Sequence, residues 1–162
     1  MQELIHHLRT IEDGTLIALC VRPGDGRRTA AIRLANELAK AGEHVCYYSF
    51  SRSPTKLERT LDPAVIHPAN FHTPTAGVWI IDDLTAWATT LTLADSRCTK
   101  IAILSALRRD AIRNGLRIVV TDTHARYTDR HLPIPDKGVA LCDAVYELRK
   151  QATVRPFKSD RT

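Results

Sequence analysis

Two short stretches carry residue types suited to phosphate and metal chemistry. The first is Arg22-Pro23-Gly24-Asp25-Gly26-Arg27-Arg28-Thr29. Glycines let backbone N–H groups turn inward around phosphate oxygens, and a helix N-terminus behind them adds partial positive charge. The second is Asp82-Asp83, which closes the apolar run Val78-Trp79-Ile80-Ile81. A carboxylate at the end of such a strand can reach a magnesium-bound water beside a phosphate loop. Thr29, Asp82 and Asp83 are therefore the candidate magnesium ligands, and Asp82 is the candidate catalytic residue. Each stretch has a plainer alternative. The first can be a strand-to-helix turn with Gly24 and Gly26 serving geometry. The second can be a strand that ends in a solvated acidic turn.

The phosphate-loop pattern G-x-x-x-x-G-K-[ST] is only half kept. Val21 stands at the first glycine and Gly26 at the second. Arg27 stands where lysine belongs, and Arg28 where the metal-binding hydroxyl belongs. Thr29 can supply that hydroxyl only if the loop gains one residue, with Arg28 as the lysine equivalent. Arginine keeps the charge, but its planar fork is bulkier than an ammonium.

The elements around these stretches alternate in type. Leu16-Ile17-Ala18-Leu19-Cys20-Val21 is a continuous apolar run, which suits a strand buried on both faces. Residues 28–41 show helical spacing, and Gly42 is placed to stop that helix. Residues 45–50, 78–81, 117–121 and 144–148 read as four further strands. A helix is predicted over about 100–114, closed by Gly115. Strands separated by helices imply a parallel sheet covered on both faces. Residues 51–76 and 126–138 read as rim loops, the first with a short helix near 55–61. The segment 151–162 reads as a basic C-terminal tail after a single domain over 1–150.

Bulk properties agree with one globular domain. The chain has 162 residues, and 23 Lys plus Arg against 18 Asp plus Glu give a net charge of +5. That excess is compatible with nucleic acid without requiring it. No apolar run approaches the roughly 18 residues of a membrane span. The N-terminus shows no charged start followed by an apolar stretch, so no secretory leader is expected. Cys20, Cys46, Cys98 and Cys142 form no Cys-x-x-Cys pair. Neither a zinc site nor a disulfide framework is expected, and a reducing cytoplasm is the expected compartment. Trp79 and Trp87 read as packing residues, and the basic group Arg108, Arg109, Arg113 and Arg117 as a solvated face. No histidine spacing suits a metal.

Taken in order, these segments resemble the RecA-like motor domain of DnaB-type replicative helicases. Leu16 through Gly26 is similar to the family's first strand and loop, which typically reads Ala-Arg-Pro-x-x-Gly-Lys-Thr; the Arg22-Pro23 pair is its distinctive part. Val45 through Phe50 is similar to the next strand, Ile80-Ile81-Asp82-Asp83-Leu84 to its Ile-Asp-Tyr-Leu segment, and Ala144 through Arg149 to its late strand. The resemblance spans residues 14–149. It implies a three-layer α/β sandwich with a mostly parallel, about five-stranded sheet in RecA-like order. It further implies ATP with Mg2+ as cofactor, nucleotide contacts from Arg22 through Thr29, and a role in DNA replication or maintenance.

The departures fall on catalytic positions. The family's glutamate after the second strand falls on Ser51, its lysine on Arg27, its metal-binding hydroxyl on Arg28 and its sensor glutamine on Asp122. Serine cannot polarise an attacking water as a carboxylate does. Asp122 would set a negative charge toward a γ-phosphate unless cations compensate. Weak or absent hydrolysis is therefore expected. In such helicases the loops after the third and fourth strands touch single-stranded DNA; the second of these carries Arg126, Arg130, His131 and Lys137 here. Three readings stay open: a nucleotide-binding protein with little hydrolysis, a non-enzymatic module for DNA or a helicase-like partner, and an active NTPase using Arg28 and Thr29. Self-association around one strand fits the first two. No membrane partner is expected.

Overall fold

A computed structural model describes residues 1–21, 27–91, 96–122, 134–148 and 154–158. The sheet contains β1 (Thr15–Val21), β2 (Val45–Ser49), β3 (Gly77–Asp82), β4 (Leu116–Asp122), β5 (Ala144–Leu148) and β6 (Val154–Lys158). The helices are α1 (Gln2–Thr10), α2 (Arg27–Lys40), α3 (Pro54–Glu58), α4 (Leu84–Leu91), α5 (Ser96–Asn114) and α6 (Asp136–Val139). Strand order is β2-β3-β4-β1-β5-β6. The first five are parallel and β6 runs antiparallel to β5. As expected, the third strand is not adjacent to the first.

Strand alternation divides the core into two layers. Ile17, Leu19 and Val21 face α1 and α2, where they meet Leu4, Leu8, Ala31, Leu34, Ala35 and Leu38. Leu16, Ala18 and Cys20 face the other side, with Leu104, Leu107 and Ala111 of α5 and Ala88 of α4. A strand buried on both faces needs an unbroken apolar run, because each residue meets one helix layer or the other. Gly42, at φ +86°, ends α2 as its position suggested.

Three features differ from the sequence expectation. The helicase resemblance puts a DNA-contacting loop after the third strand, at roughly residues 84–100, yet Leu84–Leu91 is a helix and α5 begins at Ser96. Asp83 caps α4 by accepting Ala86 N–H at 2.9 Å, a tertiary-dependent start that periodicity alone does not reveal. The segment read as a basic tail contributes β6, which pairs with β5 from Leu148↔Val154 to Val145↔Lys158. Arg108 and Arg117 do not form a solvated basic face. Arg108 bonds Asp143 and the Gly14 carbonyl, while Arg117 pairs with Glu43 at 2.7 Å and donates to the Leu8 carbonyl at 2.6 Å.

Candidate functional site

The carboxyl ends of the parallel strands meet along one edge of the sheet, where β1 leads into residues 22–26. That edge is where open α/β sheets offer ligands the ends of strands and the starts of helices. Of the expected nucleotide contacts, Arg22, Pro23, Gly24, Asp25 and Gly26 lie outside the described residues. Arg27 and Arg28 open α2, and Thr29 lies exposed on its first turn.

Asp82 ends β3, fully buried, two strands from β1. Its carboxylate gathers three hydroxyl donors from two neighbouring strands. Oδ1 accepts from Thr121 Oγ1 at 2.6 Å. Oδ2 accepts from Ser49 Oγ at 3.2 Å and from Tyr47 Oη at 3.1 Å. The in-register pairing Ser49↔Asp82 brings the serine there. A buried carboxylate needs such donors, since an unpartnered charge in the interior is very costly. With three hydroxyls already on its oxygens, Asp82 suits a metal through bound water better than direct ligation. Asp83 has φ +82°, a left-handed conformation that Asp tolerates better than most residues. Its backbone N–H donates to Thr121 Oγ1 at 3.1 Å.

Ser51, where the helicase resemblance puts the catalytic glutamate, donates its N–H to Ser49 Oγ at 3.3 Å. It brings no carboxylate to the edge.

On the opposite face of the sheet Asp122 ends β4, fully buried. Its Oδ1 accepts both the backbone N–H and the hydroxyl of Thr85, at 3.1 and 2.6 Å. Its Oδ2 receives Lys100 Nζ at 2.6 Å. Lys100, near the start of α5, is thus the cation beside the carboxylate that the helicase resemblance sets at the sensor position. Beside Asp122, in register on β1, lies Cys20. Burial first, and the Asp122 carboxylate second, push its thiol well above the ordinary range. Burial likewise raises Cys46 to about 11.

Arg126, Arg130 and His131 lie outside the described residues. Lys137 is exposed on α6. The site partners that sequence reading missed are Tyr47, Ser49, Thr85, Lys100 and Thr121. Ser49 and Tyr47 share the strand parity that points toward Asp82, a signal visible only once the β2–β3 register is known.

No family model matches the chain, and no curated protein matches it. Solved structures do. A DnaB-like replicative helicase, whose structure was described together with its interactions with primase, aligns with TM-score 0.64 at 10% identity over 85% of this chain and 48% of that one. The chain thus spans about half the length of that helicase chain. The KaiC-like protein PH0186 from Pyrococcus horikoshii OT3 aligns with TM-score 0.62 at 15% identity, covering 92% and 82%. The flagellar accessory protein FlaH from Methanocaldococcus jannaschii aligns with TM-score 0.62 at 12% identity, covering 98% and 84%. The fold is RecA-like α/β. Proteins of three different kinds share it at similar scores, so the narrower DnaB-type resemblance is not singled out.

Proposed function

We propose that this chain is a RecA-like domain that binds ATP at the loop after β1 and hydrolyses it slowly or not at all. The observation that carries the reading is the strand-end arrangement. It retains Asp82 at the end of β3 within a shell of Tyr47, Ser49 and Thr121, while Ser51 replaces the glutamate that hydrolysis needs. Arg22 through Thr29 supply backbone N–H groups and guanidinium charge for phosphate oxygens. Asp82, Asp83 and Thr29 are the residues that would hold a magnesium ion, which neutralises phosphate charge when bound. Asp122, buried on the α4/α5 face and paired with Lys100, sets no uncompensated negative charge against the phosphates.

A cytoplasmic role in DNA replication or maintenance is the biological setting this reading favours, with self-association or a helicase-like partner. Arg126, Arg130, His131 and Lys137 are its proposed single-stranded DNA contacts. Among the described residues no helix is long and apolar enough to cross a membrane.

Calorimetric titration with ATP, with and without magnesium, tests the reading. A saturable heat that weakens in Arg27→Ala/Arg28→Ala is expected. No heat under either condition would leave the non-enzymatic binding module as the better account.

A further inference from the structure

Beside the edge strand β2, next to the carboxyl ends of β2 and β3, five aromatic rings gather. Phe50, just past β2, stacks on Trp87 of α4, with centroids 4.8 Å apart and planes 8° apart. Phe71 touches Tyr48 at 5.1 Å, Phe50 at 5.2 Å and Trp87 at 4.7 Å. It also lies over Trp79, centroids 5.2 Å apart. Trp79 is the buried floor of the group, and the other four rings are half-buried, so the cluster reaches the surface.

Phe71 arrives on a strap, residues 67–75, that is weakly tied. Among the described residues the strap's only hydrogen bond is internal, between His72 Nδ1 and the Asn70 carbonyl at 3.1 Å. Packing holds it, through the Phe71 ring and buried Pro74. Among the described residues, two buried nitrogens here have no hydrogen-bond partner: Trp79 Nε1 beneath the strap and His67 Nδ1 at its start. Native proteins seldom leave such groups unsatisfied. The closed arrangement therefore buries polar groups it does not use.

We propose that Phe71 is a displaceable plug in an aromatic site formed by Tyr48, Phe50, Trp79 and Trp87, and that the site takes an unpaired base of a single-stranded nucleic acid. Stacking on aromatic rings suits every base, since each has a flat π-face. Base edges also carry ring-nitrogen and carbonyl acceptors, which an indole N–H can satisfy and a phenylalanine ring cannot. Arg52, two residues beyond Phe50, has no ion-pair partner among the described residues and suits a backbone phosphate. Several half-buried rings side by side favour successive bases of a strand over a single free nucleotide. The site is separate from Arg126, Arg130, His131 and Lys137, and the inference does not rest on ATP binding after β1.

The chain's two tryptophans, Trp79 and Trp87, both lie in this site, so intrinsic fluorescence reports on it directly. The full chain is titrated with oligo(dT) and oligo(dA) of about ten nucleotides, with dAMP, and with a peptide of the strap sequence. Both oligonucleotides are expected to quench, with dAMP at least roughly tenfold weaker. Phe71→Ala removes the internal competitor and tightens oligonucleotide binding by roughly threefold to tenfold; Phe71→Leu, which preserves more packing, gives a smaller gain in the same direction. Phe50→Ala weakens binding by roughly tenfold or more. The proposal is overturned by absent quenching with both oligonucleotides, by weaker binding in both Phe71 variants, by dAMP matching the strands, or by quenching with the peptide alone.

Discussion

Lys100 Nζ lies 2.6 Å from Asp122 Oδ2, and both side chains are buried at the end of β4. Asp122 also holds Thr85 through two hydrogen bonds, so one carboxylate joins β4 to the first turns of both α4 and α5. Removing one member of a buried pair leaves an uncompensated charge. We expect Lys100→Met to lose about 3–5 kcal/mol in urea unfolding, and Lys100→Met/Asp122→Leu to recover part of that loss. A double variant no better than the single one would contradict the pairing.

Asp82 is the common acceptor of three hydroxyls. Asp82→Ala should cost about 3 kcal/mol by denaturant unfolding, since Tyr47, Ser49 and Thr121 lose a charged partner. Asp82→Asn keeps one carbonyl acceptor and should cost about half as much. It is therefore the better variant for testing metal binding. Equal stability of wild type and Asp82→Ala would show that the hydroxyl shell contributes nothing.

Gly77 opens β3 at φ +91°, and a Cβ there would lie 2.2 Å from the His44 carbonyl oxygen. Neither the backbone angle nor a backbone oxygen can yield cheaply. Gly77→Ala should destabilise by about 3 kcal/mol or more, with a lower thermal midpoint. An unchanged midpoint would mean that the β2–β3 start can shift freely.

The thiols should divide sharply. Cys98 is exposed, whereas Cys20, Cys46 and Cys142 are buried. At pH 8 a disulfide reagent should modify Cys98 quickly and the other three only after unfolding. Cys46 has its pKa raised from 9.0 to about 11, so the folded state favours the protonated thiol. Its contribution to stability is fully present below pH 9 and is lost as pH rises toward 11. Cys46→Ala should flatten that part of the stability-versus-pH curve.

Turnover of ATP should fall at least hundredfold below the ~10 s⁻¹ typical of enzymes, because Ser51 offers a hydroxyl where a base is needed. Phosphate-release assays on wild type and Asp82→Asn check this. Turnover near the typical value, abolished in Asp82→Asn, would favour an active NTPase built on Arg28 and Thr29.

The strand–helix alternation and most of the parallel sheet were legible in the residue pattern. Apolar runs such as residues 16–21, bounded by glycine and proline, suit a doubly buried strand, and Asp82 sits at a strand end because the run before it stops there. Local pattern suffices where burial and periodicity are local properties. The tertiary structure decided which side chains meet. Ser49 reaches Asp82 through the β2–β3 register, and Lys100 reaches Asp122 across 22 residues of chain. Helix α4 starts on a cap from Asp83, whose N–H is held by Thr121 of another strand, and β6 exists as a strand only by pairing with β5. Arg117 looked solvated beside other basic residues, yet it is drawn in by Glu43 and the end of α1. Such contacts join residues distant in sequence. Their energy depends on register, crossing and burial, which a one-dimensional pattern does not encode.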